Sequence, residues 1–159
     1  MKSYSKLFLL IFVLMSDVTV NAQRWERIVN LKGLWKFSIG DDENWSKSGT
    51  DDGDWETVRA PSAWEEEGFY GYNGYAWYRK HFSLHDDLKG KSLVLRLGRI
   101  DDVDQVFVNG NLVGGSGSFP PKYETAYNVW REYPVSDKFL NSSGENVVAI
   151  RVFDAELSG

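Results

Sequence analysis

Cysteine is absent from this chain, so neither a disulfide framework nor a thiolate metal site is available to it. Histidine is scarce: His81 and His85 are the whole supply. A Ser/His/Asp triad would need one of them beside an activated serine and a carboxylate. His81 falls inside a predicted strand and His85 in the polar turn Ser83 to Asp87, and no Gly-x-Ser-x-Gly elbow occurs. Sustained helical periodicity is also missing. Basic charge is in deficit, with 18 Lys and Arg against 23 Asp and Glu and a net charge of −5. Nucleic acid phosphates demand clustered Lys and Arg, so the composition argues against a nucleic acid partner.

No apolar run is long enough to span a bilayer. Leu7 to Met15, preceded by Lys2 and Lys6, falls well short of the roughly 20 residues required. With the small residues of Val20-Asn21-Ala22 behind it, this run reads as a secretory signal peptide over residues 1–22. Gln23 becomes the mature N-terminus, and one domain is expected over 23–159. The implied location is periplasmic or extracellular, with no membrane span after cleavage. Removal of Lys2, Lys6 and Asp17 (net +1) takes the charge from −5 to −6.

What the chain has in quantity is aromatic side chains: 7 Trp, 8 Tyr and 9 Phe among 159 residues, with 15 Gly. The clearest local signal is Val106-Phe-Val-Asn-Gly-Asn-Leu-Val113, two short apolar runs about Asn109-Gly110. Asn-Gly there predicts a hairpin, because a type I′ turn needs positive φ at both central residues. Upstream, Leu31 to Ile39 alternates, with Trp35, Phe37 and Ile39 on one face and Lys36 and Ser38 on the other. Further strands are predicted at 55–58, 76–82, 92–97, 129–135 and 146–153, with one helical turn near Lys138. In the last strand Val148, Ile150 and Val152 face the core. Many short strands between turn signals point to an all-β sandwich.

Five motifs occur in order: Leu34-Trp-Lys-Phe37, Trp55 to Trp64, Gly74-Tyr-Ala-Trp-Tyr-Arg79, Val106 to Gly110 and Asn146 to Val152. This ordered set resembles the N-terminal sugar-binding jelly roll of glycoside hydrolase family 2 enzymes, such as β-galactosidases and β-glucuronidases. Ile100-Asp-Asp-Val-Asp104, with Arg131-Glu-Tyr133 and Arg151-Val-Phe-Asp154, is also similar to the jelly roll embedded in bacterial sialate O-acetylesterases. The resemblance implies a galactose-binding-domain-like jelly roll and carbohydrate work in exported proteins of the kind frequent in gut Bacteroidetes. In both families the strand matching 146–153 is followed by a Gly-rich segment, a further strand and the catalytic domain. Ending at Gly159, this chain is expected to lack the last jelly-roll strand and to be no enzyme on its own. It is then a stand-alone module, or a truncated or split part of a hydrolase or esterase. An open sheet edge would offer self-association.

Glycoside hydrolysis needs two carboxylates about 5–10 Å apart. Glu65 to Glu67 lie beside Trp64, but the family's acid and nucleophile belong to the absent catalytic domain, and a solvated acidic loop is the reading adopted. Asp101, Asp102 and Asp104 stand at a strand entrance, where carboxylates accept turn N–H groups. Asp51, Asp52 and Asp54 have oxygen ligands of the kind calcium prefers, yet the spacing is not an EF-hand and a turn is the default, so no cofactor is expected. Loop aromatics carry the functional case. Sugar rings stack their C–H faces on Trp and Tyr and hydrogen-bond to carboxylates, amides and guanidinium groups. Two loops supply both: Trp64, Glu66, Tyr70, Tyr72 and Tyr75 in one, Tyr127, Trp130 and Arg131 in the other. Those eight residues are the expected carbohydrate site. The competing expectation is a packing module whose loop rings cover a hydrolase domain.

Overall fold

The computed structural model describes residues 26–155 except 86, 87 and 89; the signal peptide expected over 1–22 lies outside the described residues. The strands are β1 (Gly33–Ile39), β2 (Glu56–Ala60), β3 (Gly74–Ser83), β4 (Leu93–Gly98), β5 (Val103–Val108), β6 (Asn111–Ser116), β7 (Arg131–Val135) and β8 (Glu145–Asp154). Short 3₁₀ turns stand at Glu43–Ser46, Trp64–Glu67 and Asp137–Phe139. Six strands form one antiparallel sheet in the order β2-β1-β3-β8-β5-β6, and β4 pairs with β7 in a second, smaller sheet. This is the all-β sandwich that the alternating pattern predicts.

Period-two alternation sorts the large sheet into two faces. Trp35, Phe37, Val58, Ala76, Val106, Val148, Ile150 and Val152 meet Tyr133 of β7 in the buried core, with Leu95 and Leu97 of β4 packed against it. Ile39, expected on the same face, reaches past the core at the strand end and is 45% exposed. The second layer is completed without a strand. Ala60 pairs with Gly33 at one end of the sheet, whereas Gly74 pairs with Asp154 at the other. Residues 61–73 must therefore cross the inner face, and they do so by packing rings on Phe37. Phe69 lies 4.6 Å and Trp64 6.0 Å from it, centroid to centroid, and Tyr72 lies 5.6 Å from Trp64. Glu67 in this segment accepts the backbone N–H of Arg59 on edge strand β2 at 2.9 Å.

The opposite face of the sheet is roofed by residues 40–55. Trp45 packs against Trp55 and Trp77. Beneath it the fully buried Arg79 donates to Asp52 Oδ2 (2.8 Å) and to the carbonyls of Trp45 (2.5 Å), Lys47 (3.0 Å) and Thr50 (3.3 Å). The β5–β6 hairpin turns at Asn109 (φ 49°) and Gly110 (φ 81°), as a type I′ turn demands. Asn109 also binds across to β8, where its Oδ1 accepts Val147 N–H at 2.8 Å.

Candidate functional site

One end of the sandwich gathers the starts of β3 and β5, the end of β8 and the loops 98–102 and 117–130. Asp102 organises it. Its N–H donates to Phe153 O (3.2 Å), its carbonyl accepts Ala126 N–H (2.9 Å), and its carboxylate accepts the Thr125 hydroxyl and Ala155 N–H (3.1 Å). Burial works to raise its pKa, but donors from Thr125, Tyr123, Ala155 and Asp101 hold it below the ordinary carboxylate range. Asp101 moves the other way, to about 6, through burial, its bond to Asp102 and the charges of Asp102 and Asp154.

Behind this loop layer sits a buried ion pair. Arg131 at the start of β7 donates from Nε to Asp104 Oδ1 at 2.6 Å, and Tyr133 donates its hydroxyl to Asp104 Oδ2 at 2.8 Å. Both members of the pair have fully buried side chains. Burial pushes the Asp104 carboxyl up, opposed by Arg131 and Tyr133.

The eight expected sugar contacts divide sharply. Trp64 is 5% exposed and part of the core, with Nε1 donating to Glu65 Oε1 at 3.0 Å. Arg131 is 0% exposed. Both expectations are corrected: the ring closes the sandwich and the guanidinium ties loops together, so neither has surface to offer a sugar. Tyr72 is half-buried on Trp64 and donates its hydroxyl to Tyr75 O at 2.7 Å. Tyr75 points to the outer face, stacked on Phe119 at 5.8 Å with the Arg151 guanidinium 4.9 Å from its ring. Glu66 is exposed and accepts the Ser62 hydroxyl at 3.1 Å. Tyr70, Tyr127 and Trp130 are open, at 82%, 57% and 67% exposure. Tyr127 and Trp130 share the 126–130 segment with Val129, 45% exposed, and the Arg99 guanidinium lies 5.6 Å over the Trp130 indole. Arg99, Phe119 and Arg151 are not among the expected site residues, because each becomes relevant only through a neighbour far along the chain or across a sheet.

Both ring nitrogens of His81 face carboxylates, Asp52 and Glu145, each at 2.9 Å, and neither faces a serine. The Asp51–Asp54 segment is a turn: Asp51 accepts Gly53 N–H at 3.0 Å, while Asp52 is taken by Arg79 and His81. Among the described residues no group of three or more acidic or histidine side chains is placed to hold a metal ion, and no helix is long and apolar enough to cross a membrane. An open cleft of about 380 Å³ lies at the other end of the sheet, at Ser83 and Glu145, away from the exposed rings.

Fold and surface together define a β-sandwich module with exposed aromatic rings in its loops. Residues 40–157 match the family model described as the β-galactosidase second all-beta domain, and the chain belongs to that family, a β-sandwich domain of glycoside hydrolase family 2 enzymes rather than their catalytic barrel. It is 31% identical over 156 residues to a putative β-glucuronidase of Formosa agariphila, covering 90% of this chain and 14% of that one. To a β-galactosidase of Bacteroides ovatus it is 30% identical over 139 residues, covering 77% and 15%. Among solved structures, a family 2 β-glucuronidase superposes with a TM-score of 0.67 at 22% identity, over 82% of this chain and 14% of that one. The Bacteroides uniformis β-glucuronidase gives 0.66 at 24%, over 79% and 14%. The chain thus spans about a seventh of the relatives it matches.

Proposed function

We propose that this domain is exported and serves carbohydrate breakdown without catalysing it, holding or positioning glycan for a family 2 glycoside hydrolase. The observation that carries the reading is the pair of open rings on one short segment, Tyr127 and Trp130, the latter 67% exposed with Arg99 alongside. An exposed indole has a large apolar face, and a guanidinium beside it can donate to sugar hydroxyls. Tyr70, four residues before β3, adds a third open ring. Export rests on the leader of residues 1–22, with its Lys-flanked apolar run.

A second reading is supported by Val129 between those rings and by the small share of its relatives that the chain spans. In that reading the same patch packs on a catalytic domain, as exposed apolar patches do at interfaces. A glycan array followed by calorimetry on the wild type, Trp130→Ala and Tyr127→Ala separates the two. Carbohydrate binding predicts a wild-type ligand whose affinity falls about tenfold or more in Trp130→Ala, with folding intact. A wild type that binds no glycan across a broad panel refutes it and leaves the packing module.

A further inference from the structure

The rings of Tyr127 and Trp130 have little of their own to hold them. Among the described residues neither makes a ring–ring contact, and no side-chain hydrogen bond fixes the Tyr127 hydroxyl. Apart from the Arg99 guanidinium 5.6 Å over the Trp130 indole, their placement follows the backbone, and the backbone of 126–129 is a turn closed by Val129 N–H donating to Ala126 O at 2.9 Å. Arg131 reaches both ends of that turn. Its Nη1 donates to Ala126 O at 2.5 Å and to Val129 O at 2.6 Å, and its Nη2 donates to Asp102 O at 3.2 Å. On the far side its Nε is anchored to Asp104 of β5, which Tyr133 steadies in turn.

We infer that the buried Asp104–Arg131 pair is the positioning element of the Tyr127/Trp130 surface, setting the turn that presents both rings. The chemistry explains why arginine stands there. A guanidinium is a rigid planar fork that serves a carboxylate on one edge and carbonyls on the other, whereas a lysine ammonium is a single point charge. An ion pair needed only for charge balance would accept lysine; a fork that spans a turn would not. Arg131 is expected from the sequence as a sugar contact. Its action is instead indirect, through Ala126 and Val129. The link to ligand rests on the function proposed above, while the effect on the turn stands apart from it.

The test compares the full chain with Arg131→Lys and Arg131→Met by amide exchange, calorimetric glycan binding and thermal unfolding. Arg131→Lys is expected to recover part of the stability lost in Arg131→Met, yet to raise Val129 N–H exchange about tenfold while Val148 in β8 is unchanged. Glycan affinity should fall with it by as much as in Trp130→Ala. Unchanged Val129 exchange in a folded Arg131→Lys protein overturns the inference. Should neither variant fold, backbone order parameters of the wild type decide: values near about 0.85 for residues 126–130 support it, and values below about 0.6 overturn it. A wild type that binds no glycan, with the turn still loosened by lysine, removes the proposed function and leaves the positioning role standing.

Discussion

Replacing Arg79 by methionine tests whether the roof over the outer face is held by charge. Methionine fills much of the arginine volume but offers no donor. Asp52, with its side chain 11% exposed, then keeps only His81, and the carbonyls of Trp45 and Thr50 lose the guanidinium donor while that of Lys47 keeps Thr50 N–H at 3.2 Å. Removing one member of a buried pair costs about 3–5 kcal/mol. Buried orphan carbonyls add about 1 kcal/mol or more apiece, but residues 40–55 can lift them into water. The local release caps the loss, so about 3–4 kcal/mol is the expected total. With a urea slope of about 1.5–2 kcal/mol/M for a domain of this size, the unfolding midpoint should fall by about 2 M. Amide exchange should accelerate across 44–52 before it does in β3. A midpoint within about 0.5 M of the wild type would show that the Trp45–Trp77 packing, not Arg79, fixes the roof.

Two further outcomes follow from the geometry. Burial lowers the pKa of His81, but the bonds and charges of Asp52 and Glu145 outweigh it, so the folded value lies above the ordinary 6.5. That stabilisation is fully present below the unfolded pKa and is lost as pH rises through the folded one, since a neutral ring cannot donate to both carboxylates. Urea midpoints should therefore decline on going upward from pH 6.5, and His81→Gln should flatten the decline; a wild-type midpoint that stays level refutes it. In β6, a Cβ on Gly114 would sit 2.1 Å from Cδ1 of the Tyr133 ring, which is buried and held by its hydroxyl on Asp104. Gly114→Ala should cost about 2 kcal/mol and lower Tm by about 6–8 °C, read by calorimetry; an unchanged Tm would mean that the ring is free to move.

The elements that announced themselves were those whose signal is local. Asn109-Gly110 specifies its hairpin from four residues of chemistry, and Trp35, Phe37, Val148, Ile150 and Val152 reveal their faces by period two. Trp64 did not, because its neighbours mislead: three glutamates beside a tryptophan read as open loop. Only the pairing of Ala60 with Gly33 at one end and Gly74 with Asp154 at the other forces that segment across the core. Arg131 was misread for a related reason, since its partner Asp104 lies 27 residues away on another strand. Trp77 is fully buried on the outer face, beneath Trp45. Tyr70, Tyr127 and Trp130, by contrast, are exposed. Nothing in local pattern separates these rings from Trp64.

Strand β8 follows the seven other described strands in the chain yet lies in the middle of the large sheet, between β3 and β5. Until residues 145–154 emerge from the ribosome, β3 can pair only toward β1 and β5 only toward β6, leaving two half-sheets with bare inner edges. Closure is then a single late event that joins them. Until that closure the two inner edges present unpaired N–H and C=O groups, the kind of edge at which another chain can pair.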